Sequence, residues 1–170
     1  MSKQTAQIIR TGQLEGVKLG IKKIYNDGLK ESVVILNQGT MAQPMNGWML
    51  ASLRGKLFFR FPDHLIILPS MKVVVHSGQQ KESQVRRGLT GQVDLFWTNE
   101  QVWNNHGDAA ILFDADGFEI DRYAYPHERV MGSSAEHHKM LVKSSDGYQI
   151  IDSPMHQPGR TIRHTNTSTS

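Results

Sequence analysis

The feature that most constrains the fold is a series of short apolar runs separated by turn residues at close spacing. The run from Asp108 to Phe113 is followed by Asp114-Ala115-Asp116-Gly117 and then by a second run, Phe118 to Tyr125. An Asp-Gly pair between two such runs is typical of a β-hairpin turn. No stretch of ten residues keeps a helical period, so the pattern predicts an all-β fold.

Similar runs occur earlier in the chain, and they complete the prediction of a β-sandwich. They are Val17 to Tyr25, Glu31 to Asn37, the hairpin Gly47 to Leu53 with Lys56 to Phe61, Met71 to Gly78, and Val93 to Trp97. Roughly seven to nine short strands at this spacing are typical of a sandwich. Trp48 begins an alternating strand and is predicted to lie in the core. The polar connection from Gln79 to Gln92 has little reason to be buried.

The chain of 170 residues suits one domain with two loose ends. We expect a flexible N-terminal lead-in over 1–16, the sandwich over 17–126 and a disordered tail over 153–170. Between them, 127–152 is predicted to be an appended hairpin packed on the domain, because two apolar runs flank Ser145-Asp146-Gly147.

Composition excludes several classes of site. Cysteine is absent, so disulfides, thiolate metal sites and cysteine nucleophiles are excluded.

The N-terminus is too polar for a secretory signal, and no apolar run approaches the ~18 residues that would cross a bilayer. We therefore expect a soluble, cytoplasmic protein without membrane insertion. The net charge of +3 permits weak contact with nucleic acid.

Three patterns invite a metal or catalytic interpretation, and in each the structural interpretation is favoured. Asp114-Ala115-Asp116-Gly117 resembles the start of a calcium loop but lacks the later acidic ligand, which favours a hairpin turn. His127, His137 and His138 could bind zinc only if they converged, and adjacent histidines point apart in an extended chain. Ser133 or Ser134 with His137 and Asp121 lacks a nucleophile elbow. We expect no enzyme activity, no metal site and no cofactor.

The sequence also resembles a known family at several motifs. These are Gly47-Trp48-Met49-Leu50, Phe58-Phe59-Arg60-Phe61-Pro62, Leu68-Pro69, Val73-Val74-Val75, Trp103-Asn104-Asn105-His106-Gly107-Asp108 and Leu112-Phe113-Asp114-Ala115-Asp116-Gly117. In their order and spacing they resemble the lamin tail domain, over roughly Val17 to Tyr125. The resemblance implies an immunoglobulin-like β-sandwich that binds and scaffolds without catalytic residues. Unlike nuclear lamins, this chain has no coiled-coil rod, nuclear-localisation cluster or prenylation cysteine, so it resembles stand-alone members.

Two functional hypotheses follow. The first is a module that recruits a protein partner, not identified by the sequence, through a sandwich edge or the loops of the corner, the segment Thr98 to Gly107 between two predicted strands. Trp103 is expected to be half exposed there and to act with Asn104 and Asn105, although these asparagines equally suit the backbone of a tight corner. The alternative is weak, sequence-nonspecific binding of nucleic acid. Its candidate residues are Lys22, Lys23, Arg86, Arg87, Arg160 and Arg163.

Overall fold

The computed structural model describes residues 12–126 and 137–154. Twelve strands lie in these ranges: β1 Leu19–Tyr25, β2 Lys30–Asn37, β3 Gln43–Pro44, β4 Met49–Ser52, β5 Leu57–Arg60, β6 Ile66–Ile67, β7 Lys72–Gly78, β8 Gln92–Phe96, β9 Asp108–Phe113, β10 Glu119–Tyr125, β11 Lys139–Ser144 and β12 Gly147–Asp152. The one helical element among the described residues is the short 3-10 turn Glu82–Gln84. The predicted all-β class is confirmed.

The two main sheets each contain four strands. Their strand orders are β1-β2-β7-β8 and β10-β9-β4-β5. Side chains from both sheets form one core, which includes Ile35, Leu50, Val73 and Leu112. The predicted β-sandwich is therefore confirmed, and Trp48 lies fully buried within its core, as expected.

The predicted hairpins are present, with antiparallel pairing in β4–β5, β9–β10 and β11–β12. Two features differ from the prediction. Gln43 and Pro44, which lie between the runs predicted as strands, pair with β6. In the polar connection Gln79 to Gln92, Gln80 and Val85 are buried. This connection joins β7 to its parallel neighbour β8, and a parallel pair requires a crossover rather than a tight turn.

The inner face of β2 has a polar residue at each end. Glu31, Val33, Ile35 and Asn37 occupy alternate positions and are all buried, as expected for side chains on one face of a strand. Val33 and Ile35 join the core. Glu31 and Asn37 face inward near opposite ends of an eight-residue strand, roughly 20 Å apart at ~3.3 Å per residue.

The hairpin β11–β12 covers the outer face of the second sheet. Leu141 packs with Met49, Ile111 and Phe113, which point away from the main core. The Phe58 and Tyr148 rings lie 5.6 Å apart between centroids. Because one face of β9 meets the main core and the other meets the hairpin, every residue of β9 is buried.

One side of the sandwich is closed by a side chain that crosses between the sheets. The Ile21 amide on β1 donates a hydrogen bond to Asp121 Oδ2 on β10 at 2.8 Å. The register of β1 shifts between Ile21 and Lys23, which is characteristic of a β-bulge. On the other side, β5 and β8 are the terminal strands of their sheets.

Candidate partner-binding corner

The segment from Thr98 to Gly107 is held in place by the buried carboxylate of Glu31. Glu31 Oε1 accepts hydrogen bonds from the Val102 amide at 2.8 Å and from Ser77 Oγ at 2.9 Å. Glu31 Oε2 accepts one from the Trp103 amide at 3.3 Å. A buried carboxylate is tolerated where donors surround it. The corner is thus tied to the start of β2.

A second buried carboxylate, Asp108, ties the same segment to β4. Its Oδ2 accepts hydrogen bonds from Ser52 Oγ at 2.6 Å and from the Asn104 amide at 3.3 Å. Its Oδ1 accepts one from the Arg54 amide at 3.0 Å. Asn104 Oδ1 accepts from the His106 amide at 2.8 Å. The structural interpretation of these polar residues is therefore confirmed for Asn104 and Asp108.

Trp103 is buried, and the expectation that it would be half exposed is wrong. Its exposed fraction is 2%, and its ring packs edge-to-face on Trp97 with centroids 5.8 Å apart. The physical reason is the Glu31 carboxylate, which draws the Trp103 backbone onto β2 so that the indole joins the main core. Trp103 can therefore shape the corner, but it offers no surface to a partner.

Asn104 and Asn105 are both exposed, as are Gln101 and His106 in the same corner. Asn105 lines a cleft of about 470 Å³ with the turn between β1 and β2. We call this the corner cleft; its lining residues are Asn26, Asp27, Gly28, Leu29, Gln101 and Asn105. Leu29 is 60% exposed, which makes it an apolar side chain beside a largely amide-lined cleft.

Backbone contacts hold the two walls of the corner cleft together. The Gly78 amide donates to the Glu100 carbonyl at 2.9 Å, and the Gln79 amide donates to the Leu29 carbonyl at 2.8 Å. A Cβ at Gly78 would lie 2.3 Å from the Leu29 carbonyl oxygen, and φ there is +95°. Only glycine accommodates both constraints. The end of β7 therefore joins the β1–β2 turn to the corner.

Tyr125 supports the corner from β10. Its hydroxyl donates to the Asn104 carbonyl at 2.8 Å. Burial raises the pKa of Tyr125 above its usual value, and the nearby carboxylates of Asp108 and Glu31 raise this pKa further. The phenol therefore stays protonated at neutral pH and remains a donor to Asn104.

The residues considered for metal binding have structural contacts where they are described. Asp114 Oδ1 accepts the amides of Asp116 and Phe118 at 2.9 and 3.0 Å, which confirms the hairpin-turn interpretation. His137 lies 3.8 Å from Asp152 Oδ2, and His138 lies 3.7 Å from Glu119 Oε2. Within 12–126 and 137–154, no three His, Cys, Asp or Glu side chains are grouped to hold a metal ion.

Several predicted residues fall outside the described ranges. They are His127, Ser133, Ser134, Arg160 and Arg163, together with most of the lead-in and the tail. Asp121 is the carboxylate that was considered as the acidic member of a serine hydrolase triad. It accepts a hydrogen bond from the Ile21 amide. No described segment forms a helix of the length and hydropathy that spanning a membrane requires.

The four described basic residues of the nucleic-acid hypothesis lie on elements at different edges of the first sheet. Lys22 and Lys23 are exposed on β1, whereas Arg86 and Arg87 are exposed in the connection to β8. Arg87 pairs with Glu82 at 3.4 Å. The structure does not gather these cations on one strand or turn, and nucleic-acid binding stays a prediction.

A larger cleft, of about 650 Å³, lies between the sandwich and β11–β12. Its lining includes Arg60, Lys143, Asp63, Asp114 and Asp116. Arg60 pairs with Asp63 at 3.3 Å, and the Asp114 carboxylate serves its turn. Its charges are of both signs and partly engaged with each other, so volume alone does not make it the better candidate site.

The lamin tail domain family model matches residues 15–127, from the segment before β1 to the end of β10. The chain belongs to the lamin tail domain family. This family is immunoglobulin-like and non-enzymatic, and its members act as protein-interaction modules. No curated protein matches this lamin tail domain.

Sequence reasoning missed Glu31, which positions the corner of this lamin tail domain. The sequence did contain a signal for its burial. Glu31 alternates with Val33 and Ile35 along the strand, so its side chain lies on the same buried face. An acidic residue on such a face must have donors around it. The donors themselves, Val102 and Trp103, could not be identified from local pattern because they lie about seventy residues away in the chain.

Proposed function

We propose that this lamin tail domain is a non-catalytic binding module that recruits a protein partner at the corner cleft. The observation that carries the proposal is the exposed Leu29 beside Asn105 on a framework held by buried polar groups. Exposed loops supported by a rigid sandwich are a common arrangement for binding sites.

The chemistry of the corner cleft favours a polypeptide over a strongly charged ligand. Asn26, Gln101 and Asn105 provide amide donors and acceptors, and Asp27 is the single charged side chain in the lining. Amide side chains can pair with peptide N–H and C=O groups, and Leu29 can contact an apolar side chain. We therefore expect a segment with backbone groups available for pairing and an apolar residue beside Leu29.

A sandwich edge is the competing location for the same function. β5 ends its sheet, and Leu57 on this strand is exposed. Unpaired edge strands can accept a strand from a partner. The corner and the edge can be distinguished by placing one charged substitution in each.

The test is affinity purification of the tagged full chain from its native lysate, with quantification of co-purifying proteins. Leu29→Asp and Asn105→Arg should each reduce the retained partner at least about tenfold, a loss equivalent to about 1.4 kcal/mol. The matched control is Ile151→Asp, which charges an exposed apolar position on β12 and should retain the partner.

Two results would contradict the corner proposal. Retention that is unchanged in both corner variants but lost in Leu57→Lys would transfer the binding site to the β5 edge. If no protein co-purifies specifically with the wild-type chain, recruitment of a partner itself is contradicted. Urea unfolding of each variant should show wild-type stability, because the substituted side chains are exposed.

A further inference from the structure

Exposed apolar side chains gather at the end of the sandwich opposite the corner cleft. Met41, Ile66, Leu68 and Leu89 are each exposed by 48% to 55%, and all lie in connecting loops or in the two-residue strand β6. Exposed apolar residues need no explanation when scattered singly. Here hydrogen bonds link their segments around one buried residue, Asn37, so we call the group the Asn37 end.

The Asn37 side chain joins three segments at this end. Its Nδ2 donates to the carbonyls of Met41 at 2.9 Å and Ile67 at 3.1 Å. Its Oδ1 accepts from the Lys18 amide at 3.3 Å. Because Ile67 is buried and its neighbours alternate outward along the strand, Ile66 and Leu68 share the exposed side.

Leu89 reaches the same end through the start of β7. The Gln92 amide donates to the Leu89 carbonyl at 3.2 Å, and the Lys72 amide donates to the Gly91 carbonyl at 2.9 Å. The turn before Lys72 is bonded to β2, since the Ser70 amide donates to the Asn37 carbonyl at 2.8 Å. The loops carrying Leu68 and Leu89 therefore flank Lys72.

Cations accompany these apolar side chains. Lys18 and Lys72 are exposed at positions whose backbones belong to the hydrogen-bonded group, and the Lys22 ammonium contacts Gln38, the residue after Asn37. Glu15 is the exposed acidic residue in the adjoining chain, and Asp63 in the turn before β6 is paired with Arg60. Lysines thus outnumber unpaired carboxylates in the segments joined at the Asn37 end.

We propose that the Asn37 end binds peripherally to an anionic lipid surface. Aliphatic side chains at loop tips can enter the boundary between headgroups and acyl chains, and each adjacent lysine gains from the negative surface potential. An apolar groove on a protein would suit the aliphatic residues equally. The surrounding lysines favour a lipid surface, which offers anionic headgroups above an apolar acyl layer. This surface lies at the opposite end of β2 from the corner cleft, so the two sites can be occupied together.

The test is co-sedimentation of the full chain with vesicles of phosphatidylcholine alone or with about 30% phosphatidylserine. The chain should bind the anionic vesicles, and its bound fraction should fall with added salt. Ile66→Ser/Leu68→Ser should weaken binding at least about tenfold, and Lys18→Glu/Lys72→Glu should do the same. The matched controls are Leu57→Ser for the apolar change and Lys30→Glu/Lys56→Glu for the charge change, and both should bind as wild type.

Three outcomes would overturn the proposal. The first is no binding to anionic vesicles at low salt. The second combines two results. All variants bind the vesicles equally, and a labelled DNA duplex binds in a way that requires Lys18 and Lys72 but is unaffected by Ile66→Ser/Leu68→Ser. The third is a dimer, seen by sedimentation velocity without lipid, that Ile66→Ser/Leu68→Ser dissociates, because a second copy would then cover this end. None of these outcomes affects recruitment at the corner cleft.

Discussion

Glu31 holds the backbone of Trp103 from 72 positions away in the chain, through a hydrogen bond of 3.3 Å between Glu31 Oε2 and the Trp103 amide. The same carboxylate accepts from Val102 and Ser77, so one side chain determines where the corner leaves the core. The exposed asparagines that follow Trp103 owe their position to this contact.

Replacing Glu31 with Gln should destabilise the fold by about 2 kcal/mol, because the amide nitrogen that replaces one carboxylate oxygen cannot accept the hydrogen bonds made there. Urea unfolding monitored by tryptophan fluorescence would measure the change. Glu100→Gln is the control, since its side chain is exposed and its effect should stay within about 0.5 kcal/mol. Equal stabilities of the two variants would refute the anchoring role of Glu31.

Trp103→Ala should destabilise the fold by about 3 to 5 kcal/mol because it removes a large buried side chain. Trp103→Phe should retain much of this stability, since the indole Nε1 is buried and has no hydrogen-bond partner among the described residues. Asn105→Ala, at the exposed neighbouring position, should change stability by no more than about 0.5 kcal/mol. Thermal unfolding of the three variants checks this order; similar losses in Trp103→Ala and Asn105→Ala would contradict the burial of Trp103.

Gly117→Ala should loosen the contact between β11 and the sandwich. The Leu141 amide donates to the Gly117 carbonyl at 2.8 Å, φ at Gly117 is +89°, and an added Cβ would lie 2.2 Å from the Leu141 carbonyl oxygen. Backbone strain of this kind is on the order of 1–3 kcal/mol. Hydrogen exchange of the Leu141 amide should accelerate, whereas Gly28→Ala, which meets no atom within 4 Å, should leave it unchanged.

Asp121→Asn should stabilise the fold at neutral pH relative to wild type. Burial raises the pKa of Asp121 above its usual value of 3.8, although the hydrogen bond from Ile21 opposes this rise. A raised pKa in the folded state contributes stability below 3.8 that is lost as pH increases through the folded pKa. The asparagine oxygen can still accept the Ile21 amide while avoiding the burial of charge.

The measurement is urea unfolding of wild type and Asp121→Asn across pH 3 to 7, a range that spans the usual carboxyl pKa. The advantage of Asp121→Asn should grow as pH rises above 3.8. Asp27→Asn, at an exposed turn position, serves as the control and should show little pH-dependent difference. An advantage that shrinks with increasing pH would have the wrong sign for a raised pKa.

Local sequence patterns were sufficient for most of the fold. Alternation and turn dipeptides predicted the hairpins β4–β5, β9–β10 and β11–β12, because a hairpin is formed by neighbouring residues. Patterns were insufficient for β3–β6 and for the parallel pairing of β7 with β8. Two-residue strands have no detectable alternation, and parallel pairing depends on the path of a crossover.

The corner was predicted only in part, for a similar reason. Its polar residues were correctly interpreted as suited to a tight turn, and Asn104 and Asp108 satisfy backbone donors there. The prediction that Trp103 would be half exposed was wrong. It rested on the usual surface location of corner residues, whereas the contact that draws Trp103 inward comes from Glu31 on β2. The corner cleft depends likewise on the β1–β2 turn lying beside the corner.

By itself, the sequence determined the local features of this lamin tail domain: which runs extend, where they turn and which face of each strand is apolar. Tertiary structure alone decided that Glu31 and Asn37 would become the buried polar anchors at the two ends of β2, and that β11–β12 would cover β9. Alternation and turn type are properties of adjacent residues, whereas burial of a carboxylate or amide depends on donors and acceptors supplied by distant segments of the chain.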